Sequence, residues 1–161
     1  MAKTELLGIG ELKQNFGKLK DGTETRIARS VVAAAGGVVR SKARGIAQSN
    51  GLRRTGALIK NIVIKRETNA PAGTTQYNLG VRHGVNLTKK QKASSKLAIA
   101  KGGRIVKRYE DDPYYWRFAE FGTKKQQATP FIGPALEQGK TEAIEAMGTR
   151  LKKELAKAGK A

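Results

Sequence analysis

Side-chain chemistry in this sequence would have to come from a short list of residues. Glu110, Asp111, Asp112 and Glu120 lie close together in the second half of the chain, and the one histidine, His83, stands beside a long basic stretch. Clustered carboxylates can hold divalent cations and support a metal-dependent nuclease. The first three are consecutive, however, so their side chains point in different directions, and the alternating acidic spacing of a calcium loop is missing. They read better as an acidic turn closed by Pro113. His83 has no second histidine or thiol to complete a base and nucleophile pair. The absence of cysteine also removes disulfides and thiolate metal sites. Lys101-Gly-Gly-Arg104 lacks the Gly-x-x-x-x-Gly-Lys spacing of a phosphate loop and reads as a turn. The expectation is a non-enzyme with no catalytic residue, metal ligand or cofactor.

Charge is the stronger signal. The formal net charge is +19, and residues 25–109 hold nineteen basic side chains against the single acid Glu67. The two ends are close to neutral. A field that one-sided attracts polyanions and weakens with salt. The side chains placed to meet DNA or an acidic protein surface are Arg26, Arg29, Arg40 and Arg44, then Arg82, Lys89, Lys90, Lys92, Lys96, Lys101, Arg104, Lys107 and Arg108.

The elements that carry these residues follow from periodicity. Ile9, Leu12, Phe16 and Leu19 recur at helical spacing and predict a short helix ending at Asp21-Gly22. Over residues 23–50, Ile27, Val31, Val32, Ala35, Val38, Val39 and Ile46 share one arc of a helical wheel. Arg26, Arg29, Arg40 and Arg44 form a stripe away from that arc. Lys42 falls inside the arc, with its stem packed and its ammonium at the rim. Gly36-Gly37 permit a kink or a close approach, and Asn50-Gly51 ends the helix. β-Branched residues predict a strand over 60–66, and alternation at Tyr77, Leu79 and Val81 predicts its antiparallel partner across the turn at residues 69–73. Residues 83–108 hold no aromatic, proline or acid. Such a composition predicts a mobile basic arm that orders on a partner, with brief structure at Leu97-Ala-Ile-Ala100 and Ile105-Val106.

Residues 114–123 (Tyr-Tyr-Trp-Arg-Phe-Ala-Glu-Phe-Gly-Thr) contain five of the nine aromatic residues. Aromatic side chains bury about 150–250 Å² each, so this segment is the expected centre of the core. Glu120 among them calls for a partner if buried, and Arg53 or Arg54 is the expected one. The alternative is a carboxylate facing water. Gly133-Pro134 opens a last helix in which Leu136, Ile144, Met147, Leu151 and Leu155 mark the expected buried stripe. The fold class is therefore α+β. A long amphipathic helix and a C-terminal helix pack on a small antiparallel sheet, in a single domain over residues 1–161 with a basic arm inserted at residues 83–110. No apolar run is long enough to span a membrane and no signal-peptide pattern is present, so a soluble protein made in a cytoplasm is expected.

The order of these pieces resembles a known family. A long helix is followed by Thr55-Gly56-Ala57-Leu58, a β-hairpin, Tyr114-Tyr115-Trp116 with Glu120-Phe121-Gly122-Thr123, then Thr129-Pro130-Phe131, Pro134 and a terminal helix. The chain is similar in this to tail-completion, head–tail joining proteins of tailed phages, of the type made by lambdoid siphophages such as HK97. Where that family often has Pro-x-Asp ahead of Thr-Gly, this chain has Leu52-Arg53-Arg54. The resemblance implies a structural virion protein made in the host cytoplasm. It would form a homo-oligomeric ring at the head-proximal end of the tail, between the tail tube or tail terminator and the head connector, with DNA in the lumen and no membrane. A cytoplasmic nucleic-acid-binding module is the rival reading, with the aromatic cluster as a stacking platform. It ranks second because Trp116, Phe118 and Phe121 adjoin the expected core, whereas the basic residues 83–108 contain no aromatic residue.

Overall fold

The structure is a computed structural model describing residues 9–53 and 55–158, with side chains described for residues 24–53 and 55–157. One helix, α1 (Ile9–Ser49), runs for 41 residues without a break at Asp21-Gly22. An interior glycine costs a helix about 1 kcal/mol and does not by itself end it. The expected apolar face at Ile9, Leu12, Phe16 and Leu19 lies outside the described side chains. At the other end Gly51 adopts φ 71°. There the Leu52 N–H donates to the Ala47 carbonyl at 3.0 Å and the Gly51 N–H to that of Gln48 at 3.1 Å. This is the glycine stop read from Asn50-Gly51, a Schellman closure.

A short helix, α2 (Ala57–Asn61), leads into β1 (Ile62–Arg66), which pairs antiparallel with β2 (Tyr77–Val81). Ile62 lies opposite Val81 and Ile64 opposite Leu79, so one face of this hairpin is apolar. That face lies on α1. A Cβ at Gly36 would stand 3.1 Å from Ile64 Cδ1, so glycine is what lets the strand side chain lie this close.

Helix α3 (Lys89–Ala93), strands β3 (Ser95–Ile99) and β4 (Ile105–Tyr109), helix α4 (Trp116–Phe121) and helix α5 (Ile132–Ala158) complete the chain. The α+β class holds, but with two separate two-stranded sheets rather than one. Residues 83–108, expected as a loop, contain a second hairpin. Its strands fall where brief structure was anticipated, because β-branched Ile99, Ile105 and Val106 favour pairing. Gly102 and Gly103, at φ 102° and 78°, supply the tight turn.

The core differs from expectation in two places. Its fully buried large side chains are Phe131, Leu58 and Ile62, surrounded by Val39, Ala43, Ala47, Val81, Ala135 and Ala143. The aromatic segment is not its centre: Tyr115 and Trp116 pack against it, whereas Tyr114 is 69% exposed and Phe121 75%. Helix α4 is only six residues long, so it presents one face inward and turns the rest of its aromatics out.

Helix α5 packs along α1 through Ala135, Gly139 and Ala143, and not through the larger residues of the stripe. A Cβ at Gly139 would lie 3.5 Å from Lys42 Cδ and 3.6 Å from Val39 Cγ2. Small residues at i, i+4 and i+8 let the two backbones approach closely. Leu136, Ile144, Leu151 and Leu155 are consequently exposed, and Met147 is half-buried. Lys42 behaves as read: its stem packs beside Gly139 while its ammonium bonds Glu142 and, at 3.2 Å, the Gln138 carbonyl.

Candidate functional site

Two groups of residues need placing: those of the aromatic and glycine motifs, and those of the basic segment. The first group builds a structural junction. Thr55 Oγ1 accepts the Ala57 N–H at 3.3 Å, Gly56 turns the chain at φ 73°, and Leu58 enters the core fully buried. Thr-Gly-x-Leu is therefore a start for α2 in which only glycine fits the left-handed position without strain. Further on, Gly122 sits at φ 74°, and a Cβ there would fall 2.9 Å from the Ala128 backbone nitrogen. Thr123 Oγ1 accepts the N–H groups of Lys125 and Gln126. Asn50 Nδ2 donates to the Pro130 carbonyl at 3.3 Å, tying the end of α1 to the segment that carries Phe131. Pro134 lies in the first turn of α5, where its missing N–H costs nothing.

Glu120 is the centre of this junction. Its carboxylate is buried and accepts the N–H groups of Phe131 at 2.8 Å, Ile132 at 3.1 Å and Gly133 at 3.2 Å. It caps the first turn of α5 and faces the positive end of the helix dipole. The expected arginine partner is thus replaced by a helix N-terminus. Arg53 is exposed and Arg54 lies outside the described residues. The sequence did hold the clue: no Ser, Thr, Asp or Asn stands at the N-cap of α5, where Phe131 sits, so its donors needed an acceptor from elsewhere.

The basic stripe on α1 divides. Arg26 and Arg29 are exposed, whereas Arg40 and Arg44 lie half-buried. Arg44 Nη2 donates to the Ile62 carbonyl at 2.9 Å and the Lys60 carbonyl at 3.3 Å. It thereby satisfies carbonyls at the turn from α2 into β1. Burial, and then the neighbouring Arg40, lower its pKa from the ordinary arginine value. Arg40 and Arg44 are accordingly less available to a partner than Arg26 and Arg29.

The remaining candidates cluster on the segment holding α3, β3 and β4. Lys89, Lys90, Lys96, Lys101, Arg104, Lys107 and Arg108 are exposed, and Arg82 and Lys92 are half-buried. Sequence reasoning missed how firmly this segment is rooted. Asn61, almost fully buried, donates through Nδ2 to the carbonyls of Ala57 at 2.9 Å and Asp111 at 3.2 Å, and accepts Gln91 Nε2 at 2.9 Å. The Arg82 N–H donates to the Asn61 carbonyl, and Leu87 is buried beneath. Thr88 and Gln91 form a reciprocal capping box on α3. The Thr-x-x-Gln spacing at residues 88–91 was the signal available for it.

The three consecutive carboxylates are used separately. Glu110 pairs with Lys96, Asp112 Oδ1 accepts the Gly84 N–H at 3.1 Å, and Asp111 contributes its backbone carbonyl to Asn61. Among the described residues no three His, Cys, Asp or Glu side chains converge in a way that could hold a metal ion. His83 lies against Trp116, ring centres 6.2 Å apart, and Arg117 stacks over the same indole at 5.5 Å. Among the described residues no helix is long and apolar enough to cross a membrane.

The arrangement is that of a scaffold displaying charge and apolar surface. Neither a curated protein nor a solved structure matches the chain. Residues 10–122, from α1 to the glycine that ends α4, match the HK97 gp10-like family, described as bacteriophage tail components, and the chain belongs to that family.

Proposed function

We propose that this tail component is a structural, non-catalytic virion protein that completes the head-proximal end of a phage tail and joins it to the head connector, as a ring around the DNA channel. The observation that carries the proposal is the basic arm. Over residues 83–109 every charged side chain is positive, and these side chains stand on α3 and on a hairpin whose strands, among the described residues, pair only with each other. A rooted projection of one charge sign suits an assembly in which each subunit reaches toward DNA or an acidic neighbour. In this reading residues 1–161 are one domain, the inserted arm at 83–110 is its contact element, and Arg26 and Arg29 extend the same field along α1. The neighbours are the tail tube or terminator on one side and connector proteins on the other.

Replacing Lys89, Lys90, Lys92, Lys96 and Lys101 together by Gln tests the arm's role. The expected result is at least a tenfold loss of infectious particles, with separate heads and tails or heads that lose DNA in electron micrographs. Normal yield would remove the arm from the joining function. Quantitative mass spectrometry of purified particles, with labelled microscopy, tests the position, and a small fixed copy number at the neck is expected.

A second reading gains from the exposure of Tyr114, Phe118 and Phe121 beside Arg117, Lys124 and Lys125. Outward aromatics among cations are what base stacking requires, so a nucleic-acid-binding module remains the rival. Absence of the chain from particles would put that reading first.

A further inference from the structure

Among the exposed apolar surfaces of the described residues, two carry complementary charge. The first is one face of the β3–β4 hairpin. Leu97 lies opposite Lys107 and Ile99 opposite Ile105, so these four side chains share a face. Leu97 and Ile99 are each 76% exposed and Ile105 68%. The second is the N-terminal half of α5, where Leu136 and Ile144 are exposed. Leu136 also forms one wall of a groove completed by Val39, Ile64, Tyr77 and Leu79. Exposed apolar patches rimmed by charge mark interaction surfaces.

We propose that these two surfaces are the two halves of a subunit contact, with the hairpin of one copy seated on α5 and its groove on the next. This rests on the ring reading above and says which faces make the ring. Charge selects the pairing. The hairpin face carries Lys107, and its turn carries Lys101 and Arg104. The α5 half carries Glu137 and Glu145, which are exposed and make no ion pair or hydrogen bond among the described residues, against the one exposed cation Lys140, while Glu142 is paired with Lys42. The other exposed apolar surface, Tyr114, Phe118 and Phe121, is flanked by Arg117, Lys124 and Lys125 and would repel the arm. The C-terminal half of α5 carries Arg150, Lys152, Lys153 and Lys157 against Glu154 alone, which pairs with Arg150 and Lys157, and its net positive charge would do the same.

Size agrees with charge. A five-residue strand spans about 17 Å, enough to cover the eight-residue rise from Leu136 to Ile144, about 12 Å along a helix. Because the hairpin and the helix are different surfaces, the contact is heterologous. Repeated from copy to copy, it closes into a ring when the rotation allows.

The absence of cysteine from the chain makes the test direct. Full-length Ile99→Cys and Ile144→Cys variants would be mixed and oxidised, and the double variant would be oxidised alone. Val85→Cys, 82% exposed, mixed with Ile144→Cys serves as control. The expected result is a disulfide-linked dimer from the I99C and I144C mixture, at least tenfold above control, and a ladder of higher species from the double variant. Dimers formed equally well by I144C alone would mean a symmetric helix–helix contact and overturn the proposal, as would a mixture no better than control. A ladder from a chain that is absent from particles would keep this contact and sink the tail-joining reading. No ladder from a chain found at the neck would do the reverse.

Discussion

The junction around Glu120 and the β3–β4 hairpin have similar lengths of chain and opposite characters. At the junction Glu120, Thr123 and Phe131 all have partners within the chain, although Phe118 and Phe121 beside them face outward. Glu120 meets three backbone N–H groups, Thr123 meets two, and Phe131 is fully buried. On the hairpin, three large apolar side chains and most of the cations face outward. Folding alone therefore explains Glu120, Thr123 and Phe131. It does not explain the residues of the hairpin, and apolar residues on an exposed strand pair carry an aggregation hazard that a monomer gains nothing by keeping.

This contrast is open to test, beginning where the expected effect is largest. Truncating Phe131 to Ala removes the largest fully buried side chain. A buried Phe→Ala change costs about 3–5 kcal/mol. At roughly 2–4 °C per kcal/mol for a chain of this size, the melting temperature should fall by roughly 10 °C in calorimetry. A fall of only a degree or two would mean that the core is not centred on this residue, and the junction would lose its structural explanation.

A smaller effect is expected at Glu120. In Glu120→Gln the amide oxygen still accepts from the end of α5, but the negative charge facing the helix dipole is lost and the amide NH2 points among donors. Losses of this type run to about 1–2 kcal/mol, a fall of roughly 2–8 °C in melting temperature. No change would mean that the carboxylate is effectively solvated. Glu120→Asp, one methylene shorter, should fall short of the three N–H groups and also destabilise, which a purely electrostatic role would not require.

What could be read from the sequence follows the same division. The β1–β2 hairpin was legible because alternation at Tyr77, Leu79 and Val81 matches a strand with one buried face, and Asn50-Gly51 was legible because glycine alone ends a helix at φ 71° cheaply. Glu120 was misread because a buried acid was assumed to need a side-chain cation, when a helix N-terminus supplies three donors. The stripe on α5 was misread for a related reason. Hydrophobic periodicity identifies the large apolar side chains, but α1 and α5 meet through Ala135, Gly139 and Ala143, since small residues allow backbones to come close. Leu136 and Ile144 were read as part of the buried stripe and are exposed instead, because the sequence carries no signal for which face of α5 its neighbour takes.

The hairpin supplies the smallest effect on stability and the most informative one. Replacing Leu97 and Ile99 by Ser changes two side chains that are already mostly in water. Surface substitutions of this kind usually stay within about 0.5 kcal/mol, so the melting temperature should shift by no more than about 2 °C. If the hairpin exists for a neighbour, the same variant should nonetheless fail to incorporate into particles or to form higher species in solution. Loss of assembly at unchanged stability would separate the two regions as argued: one built for its own chain, the other for the next. A variant that unfolds by several degrees would instead place Leu97 and Ile99 in the protein's own core. A variant that is stable and still assembles would leave the exposed face without a use.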